Sequence, residues 1–255
     1  MEKDMPSVSI KDKVVFVTGS NRGIGKSFVT QALEMGAKKV YATARDKSKL
    51  EALLALGDDR VVPVELDVTQ QEQVDAAAAL AGDVEVLINN SGMGTGSPFL
   101  VAADPSKAQL EINVNYLGIL RMAIAFAPIL KANGGGAMVN ILSISSLTNF
   151  PFAASYSASK AAAHSLTQGL RVELNGQGTL VTGVYPGPID TDMAANLPYD
   201  KESPDVVAVK VFEAIAAGTE DVFPDAFAVQ ISQGLKADAK AVEKMQLDNF
   251  NAAQK

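Results

Sequence analysis

Tyr156 and Lys160 fall four residues apart in Ser155-Tyr156-Ser157-Ala158-Ser159-Lys160, at the opening of an alanine-rich stretch. In a helix that spacing sets both side chains on one face, so a phenol and an ammonium can share a site. A phenol of pKa about 10 is a poor proton shuttle at neutral pH, and bringing it near 7 requires about 4 kcal/mol of preference for the phenolate. An ammonium within about 4–6 Å, helped by a positive oxidised nicotinamide, has the sign to supply that preference. The spacing alone better fits an ordinary helical pair with a solvated lysine; its context reverses that and favours chemistry. Ser143 stands thirteen residues earlier, at the end of the strand-like run AMVNILS. Open α/β sheets gather ligands at the carboxyl ends of their strands, so this strand delivers a hydroxyl to the helix face that carries Tyr156. One hydroxyl can then donate to a carbonyl oxygen while the other moves the proton. No Gly-x-Ser-x-Gly elbow surrounds Ser143, which speaks against a hydrolase nucleophile. The sole histidine, His164, lies two helical turns beyond Tyr156 and reads as a helix residue without a catalytic role.

A second pattern supplies a place for a nucleotide. Thr18-Gly19-Ser20-Asn21-Arg22-Gly23-Ile24-Gly25 joins the apolar run VVFVTG to a helical segment. Glycines let the backbone turn tightly and approach a pyrophosphate, whose charge then meets the free N–H groups and positive end of the following helix. The spacing differs from Gly-x-Gly-x-x-Gly, and Gly25-Lys26-Ser27 imitates the end of an NTPase phosphate loop. That loop needs four residues between its first glycine and the Gly-Lys pair, whereas Gly19 and Gly25 enclose five.

The elements that must position these residues are legible as six apolar runs of strand length: VVFVTG at 14, KKVYATA at 38, VVPVEL at 61, VEVLIN at 84, AMVNILS at 137 and LVTGVYP at 180. Helical segments alternate with them, including Ile24 to Met35, Lys47 to Leu56, Gln70 to Leu80 and Ser106 to Lys131. Continuous apolar strands alternating with helices predict an α/β fold, a doubly wound Rossmann-type parallel sheet with helices on both faces. No repeat or long linker divides the chain, so a single domain is expected over residues 1–255, with a core at about 12–223 and a helical tail over 225–255. With 47% hydrophobic and 20% charged residues, the chain can bury a large core, which excludes a disordered protein. A net charge of −7 argues against nucleic acid as a partner. Without cysteine, disulfides and thiolate metal sites are excluded. The opening MEKDMPSVSI lacks the apolar core of an export signal, and Leu117 to Leu130, broken by Arg121 and Pro128, is too short to span a membrane. A cytoplasmic protein with no membrane partner is expected.

From about Val14 to Met193 these motifs resemble, in order, those of the short-chain dehydrogenase/reductase family. Asp67-Val68 looks like the family's adenine-contacting pair, and Asn89-Asn90-Ser91-Gly92 resembles its Asn-Asn-Ala-Gly with Ser for Ala. Asn115 matches the asparagine that holds a water in the proton relay, while Ser143, Tyr156 and Lys160 match the catalytic set. Pro186-Gly187-Pro188-Ile189-Asp190-Thr191 resembles the loop that seats the nicotinamide amide. The resemblance implies hydride transfer between a nicotinamide and a carbonyl or alcohol carbon, with no metal. Tyr156 would be general acid or base, Ser143 would polarise the carbonyl, and Lys160 would bind the nicotinamide ribose and lower the Tyr156 pKa. Asn115 would link the proton path to solvent, and can brace helix and sheet at the same time.

The same resemblance bears on the cofactor, which NAD enzymes of this fold hold through an acidic residue at the end of the second strand. Here that end reads Ala42-Thr43-Ala44-Arg45; Ala44 takes the acid's place, Arg45 the basic one, and Arg22 adds a cation from the glycine loop. NADP(H) is expected, the counter-reading being Asp46 as the ribose carboxylate. Met93, Phe99, Leu147, Phe150, Phe152, Tyr185, Met193 and Leu197 together suggest a largely apolar pocket for a small aldehyde, ketone or secondary alcohol, under a short flexible lid from Ala194 to Pro204, though each by itself fits ordinary core packing at least as well. Beyond Asp221, Phe223-Pro224-Asp225 leads to a helical tail instead of the glycine-ending strand of the family's tetramers, so a homodimer is expected before a tetramer. Two other functions compete: an NADP-binding sensor without chemistry, and a nucleotide hydrolase built on Gly25-Lys26-Ser27.

Overall fold

The first strand, β1 (Val14–Val17), sends alternate side chains to opposite faces: Val15 and Val17 enter one core, Val14 and Phe16 the other. All four are buried, as an interior parallel strand covered on both faces requires. The computed structural model describes residues 6–96, 98–100 and 104–252. The first five residues of the opening stretch and the last three of the tail lie outside the described residues. After β1 come β2 (Lys39–Ala44), β3 (Val61–Glu65), β4 (Val86–Asn89), β5 (Ala137–Ile141), β6 (Leu180–Val184) and β7 (Asp221–Val222). They pair in parallel in the order β3-β2-β1-β4-β5-β6-β7. The first six coincide with the six apolar runs. The seventh corrects the six-strand reading: it is an edge strand of two residues, Asp221 paired with Gly183 and Val222 with Val184, too short and too polar to leave an apolar run.

The helices are α1 (Gly23–Glu34), α2 (Glu51–Leu54), α3 (Gln71–Leu80), α4 (Ser106–Ile112), α5 (Gly118–Ala132), α6 (Ala154–Asn175), α7 (Pro204–Ala216) and α8 (Ala226–Ala252). On one face α1 and α7 supply Phe28, Val29, Val207, Val211 and Phe212 to the core. On the other, α3, α5 and α6 supply Val74, Met122, Phe126, Leu130, Leu170 and Leu174. The helix expected from Ser106 to Lys131 is broken by a π-helical turn at Asn113–Leu117. Beyond that turn Gly118 passes so close to Val68 that a Cβ would sit 2.8 Å from its Cγ2. Ser106–Ala132 is long and apolar enough to cross a membrane by length and composition, but Met122, Phe126 and Leu130 are spent on the sheet. Helix α8 bends at Asp238, whose carboxylate accepts the N–H groups of Lys240 and Ala241 and so starts a second half.

Strand order reverses between β1 and β4, which opens a crevice at their carboxyl ends. A buried polar ladder sets the helix above it. Asn89 donates to Asn140 (2.8 Å), and Asn140 to Thr167 (3.0 Å), which ties β4 and β5 to α6 in one register.

Candidate active site

The glycine loop turns from β1 into α1 through positive φ at Gly19 (68°) and Gly23 (52°), where a side chain would be strained. Gly25 is required by contact: a Cβ there would lie 2.1 Å from the Gly19 carbonyl oxygen and 2.5 Å from Asn90 Nδ2. Helix α1 starts without a side-chain cap and without an acidic residue in its first turn, so its N–H groups are free to face an anion. Asn90 Nδ2 donates to the carbonyls of Thr18 (2.9 Å) and Gly19 (3.0 Å), and the Asn90 and Ser91 N–H groups both donate to Thr18 Oγ1 at 2.9 Å. Thr18, which the motif reading passed over, is thus the knot between β1 and the loop after β4. Ser20, expected at the cofactor, is fully buried; its Oγ donates to Val17 and accepts from the Thr43 N–H, and so braces the loop to β2. Ile24 packs on the core, leaving its backbone for the crevice.

At the end of β2, Arg45 is exposed, while Asp46 accepts the Ser48 N–H (2.9 Å) and hydroxyl (2.7 Å) and caps the short helix Lys47–Leu50. Those hydrogen bonds hold the Asp46 carboxyl below its usual range. Arg22, expected as a second cation, pairs with Asp192 at 2.6 Å, both side chains largely exposed. Asp67 accepts the Thr69 N–H and hydroxyl, and Val68 is buried against Gly118.

Across the crevice the three catalytic candidates meet. Ser143 follows β5 and caps the turn Ile144–Ser146, its Oγ accepting the Ser145 N–H at 3.1 Å. Tyr156 lies in the first turn of α6, and Lys160 one turn later, with its Nζ 5.8 Å from the phenol ring centroid. Lys160 is buried, its Nζ donating to the Ile141 carbonyl at 2.7 Å, and burial lowers its pKa to about 8. Burial pushes the Tyr156 phenol up to about 12, a hydrogen bond from Ser143 lowers it in part, and the Glu111 charge raises it further. Without a nucleotide, burial thus acts on the phenol against the direction expected of Lys160 and the oxidised nicotinamide together.

The wall facing Tyr156 is the loop after β4, and two side chains from one helical stretch hold it. Asn115, fully buried in the π turn, donates to the Met93 carbonyl and Ser159 Oγ, both at 2.8 Å, and accepts the Met93 N–H at 2.9 Å. The bracing role is thus present in full, and one lone pair of the amide oxygen is left for a water. Glu111, four residues earlier, accepts the Thr95 N–H (2.6 Å) and hydroxyl (2.9 Å). Between these clamps Gly94 lies on the Tyr156 ring, where a Cβ would be 3.2 Å from Cδ2. Gly92 is equally close-set: its Cβ would lie 3.4 Å from both Lys160 Nζ and Asn115 Oδ1. Neither Glu111 nor Gly94 was expected. The available signal was a charged residue in helical phase with Asn115 on the buried face.

The loop expected to seat the nicotinamide is anchored from behind. Gly187 donates its N–H to Asp225 at 2.7 Å, and Asp225 also accepts the Ala228 N–H at 2.8 Å, joining the loop to the start of α8. Pro186 accepts the Ser143 hydroxyl at 3.4 Å, Ile189 is turned into the core, and Thr191 lies over the glycine loop, its Cγ2 3.0 Å from where a Gly23 Cβ would be. The segment read as a lid is tied at its base, Asp190 donating to Glu202 and Glu202 to Pro188.

The apolar residues expected around the site divide between core packing and the surface. Tyr185 is a core residue, stacked on Phe223 and hydrogen bonded to His164 (2.9 Å) and Asp221 (3.0 Å). Phe150 and Phe152 face α8 through Phe227 and Phe250, and Leu147 packs between two small clusters. Phe99, Met193 and Leu197 remain exposed. The helical tail captured Phe150 and Phe152, which no local pattern could foretell.

A family model described as short chain dehydrogenase matches residues 13–202. The chain belongs to the short-chain dehydrogenase family. This short-chain dehydrogenase is similar to a short chain dehydrogenase from Burkholderia cenocepacia J2315 crystallised with NADP. The two are 44% identical, with a TM-score of 0.90, over 94% of this chain and 99% of that one. It is also similar to one from Sphingobium yanoikuyae crystallised with NADPH, at 26% identity and a TM-score of 0.78 over 91% and 95% of the two chains. Among curated proteins it is 36% identical to an uncharacterized oxidoreductase of Staphylococcus aureus (strain USA300), over 81% of this short-chain dehydrogenase and 92% of the relative.

Proposed function

We propose that this protein is an NADP(H)-dependent oxidoreductase that interconverts a small, largely apolar aldehyde or ketone and the corresponding alcohol. The observation that carries the reading is the meeting of Ser143, Tyr156 and Lys160 at the carboxyl edge of the sheet, beside a glycine loop whose N–H groups are free. The cradle fits a dinucleotide: Gly19, Gly23 and Gly25 keep side chains out of the turn, and the uncapped start of α1 awaits negative charge. Asn21, Arg22, Asp67, Val68, Asn90, Ser91 and Gly92 would complete the hold, with Pro186, Gly187, Ile189 and Thr191 at the nicotinamide end. When bound, the nicotinamide supplies or takes the hydride and, in its oxidised form, adds a positive charge beside the phenol. Exposed Arg45, with Asp46 spent on its cap, supports a phosphate over a bare ribose at the end of β2, and the NADP-bound relative agrees.

Tyr156 gives its proton to the carbonyl oxygen in reduction and takes one back in oxidation. Ser143 donates to the same oxygen and orients it. Lys160 holds the nicotinamide ribose and, as an ammonium, stabilises the phenolate once formed. The lone pair left on the Asn115 oxygen accepts a water and carries the proton path towards solvent. In this reading the protein works as a cytoplasmic homodimer. Following NADPH absorbance across aldehydes, ketones and alcohols tests catalysis, cofactor and substrate class together, and NADPH binding without any turnover would favour a sensor. Tyr156→Phe is expected to abolish turnover while NADPH binding stays nearly intact; unchanged turnover rejects the assignment.

A further inference from the structure

Glu111 is fully buried on α4, yet the reaction above gives it no part. Its Oε1 takes both Thr95 donors, and its Oε2 meets no hydrogen-bond partner. Among the described residues it has no salt-bridge partner. The nearest buried cation of the site, Lys160, is committed to the Ile141 carbonyl. An acidic side chain without a cation in such a place is costly to keep, so a site that retains one calls for a reason. The reason lies across Thr95: the residue before it, Gly94, rests on the Tyr156 ring, and the residue before that, Met93, is clamped by Asn115. Glu111 and Asn115, one turn apart, therefore grip the loop on either side of the tyrosine contact.

We propose that Glu111 is a positioning residue for the tyrosine: through Thr95 it holds Gly94 against the Tyr156 ring, and it sets a buried carboxyl group behind the residue that donates to a carbonyl. This rests on the reading of Tyr156 as the proton donor. The groups that face the phenol are Lys160 from its own helix, the Ser143 hydroxyl from the turn after β5, and Glu111 from α4. From the loop after β4, the Gly94 backbone lies against the ring. Glu111 is thus the one acid in the set, and it opposes Lys160. Burial and Glu111 both act towards the protonated phenol, the form that donates to a carbonyl.

Two substitutions separate grip from charge. Glu111→Gln keeps an oxygen for the Thr95 donors and removes the charge; Glu111→Asp keeps the charge and shortens the reach. The readout is the tyrosinate absorbance of Tyr156, taken as the difference between each background and the same background carrying Tyr156→Phe. The chain has no tryptophan to obscure it. Titrations run with saturating NADP+ from about pH 6 to about 10 and, by rapid pH jump, without nucleotide to about pH 12. The expected result is a Tyr156 midpoint lower by about 1 pH unit in Glu111→Gln, with Glu111→Asp within a few tenths of the wild type even where its Tm falls. The alkaline limb of alcohol oxidation should move with the midpoint. A midpoint unmoved by Glu111→Gln, or moved equally by Glu111→Asp, overturns the inference. If NADP+ leaves the wild-type titration unchanged, the proposed function fails instead, and the nucleotide-free arm still decides the role of Glu111.

Discussion

Asn115→Ala separates a brace from a relay. The side chain is fully buried and makes three hydrogen bonds, two to the Met93 backbone and one to Ser159. At about 1 kcal/mol net for each bond, truncation costs about 3 kcal/mol, and up to about 6 if the Met93 N–H and carbonyl cannot reach water. For a domain of this size each kcal/mol lowers Tm by about 2–4 °C, so a fall of about 6–12 °C is expected from the lower figure. Thermal unfolding followed by circular dichroism measures it, with turnover assayed at a temperature where both proteins are folded. Release of Met93 should also loosen Gly94 from the Tyr156 ring, so kcat falls with stability. A Tm within about 3 °C of the wild type, with activity lost, would refute the brace and leave Asn115 a purely chemical part.

Three further outcomes can be checked. Burial holds Lys160 at about 8 when folded against 10.5 for the free side chain, so the unfolded chain binds the extra proton between those values and stability should rise with pH there. Lys160→Met removes the rise, and urea titrations between about pH 8 and 9, below the range where Tyr156 begins to act in the opposite sense, read the difference. Arg45→Ala should weaken NADPH binding by about tenfold or more, the worth of one charge-assisted hydrogen bond, and leave NADH binding nearly unchanged; equal loss for both would reject Arg45 as the phosphate ligand. Gly25→Ala drives a methyl to 2.1 Å from the Gly19 carbonyl, so nucleotide binding by calorimetry should be lost together with several degrees of Tm, and a folded, nucleotide-binding variant would show the loop is not as close-packed as described.

The parts of the site that local chemistry dictates were legible. A helix places i and i+4 together whatever surrounds it, so Tyr156 and Lys160 could be paired in advance, and the strand before Ser143 gave its depth. Gly19, Gly23 and Gly25 were legible because a tight strand-to-helix turn has few other solutions. The choice between pocket and core for Tyr185, Phe150 and Phe152 was not legible, because an aromatic residue near a motif carries no mark of its partner; α8, folding in from far along the chain, supplied Phe227 and Phe250 to the two phenylalanines, and Phe223 stacks on Tyr185. Two-residue β7 was invisible for the opposite reason, since its pairing comes from β6 and not from its own pattern.

What the sequence determined by itself is periodicity and local backbone preference: which segments are buried on two faces, where the chain must turn without a side chain, and which residues share one helix face. What only the tertiary structure decided is how far each buried group is cut off from water and what meets it there. The pull on the Tyr156 proton is of that kind, as are the engagement of Arg22 by Asp192 and the confinement of Glu111 behind Thr95. Charge interactions depend on distance and local dielectric, and both arise only when remote segments are packed together.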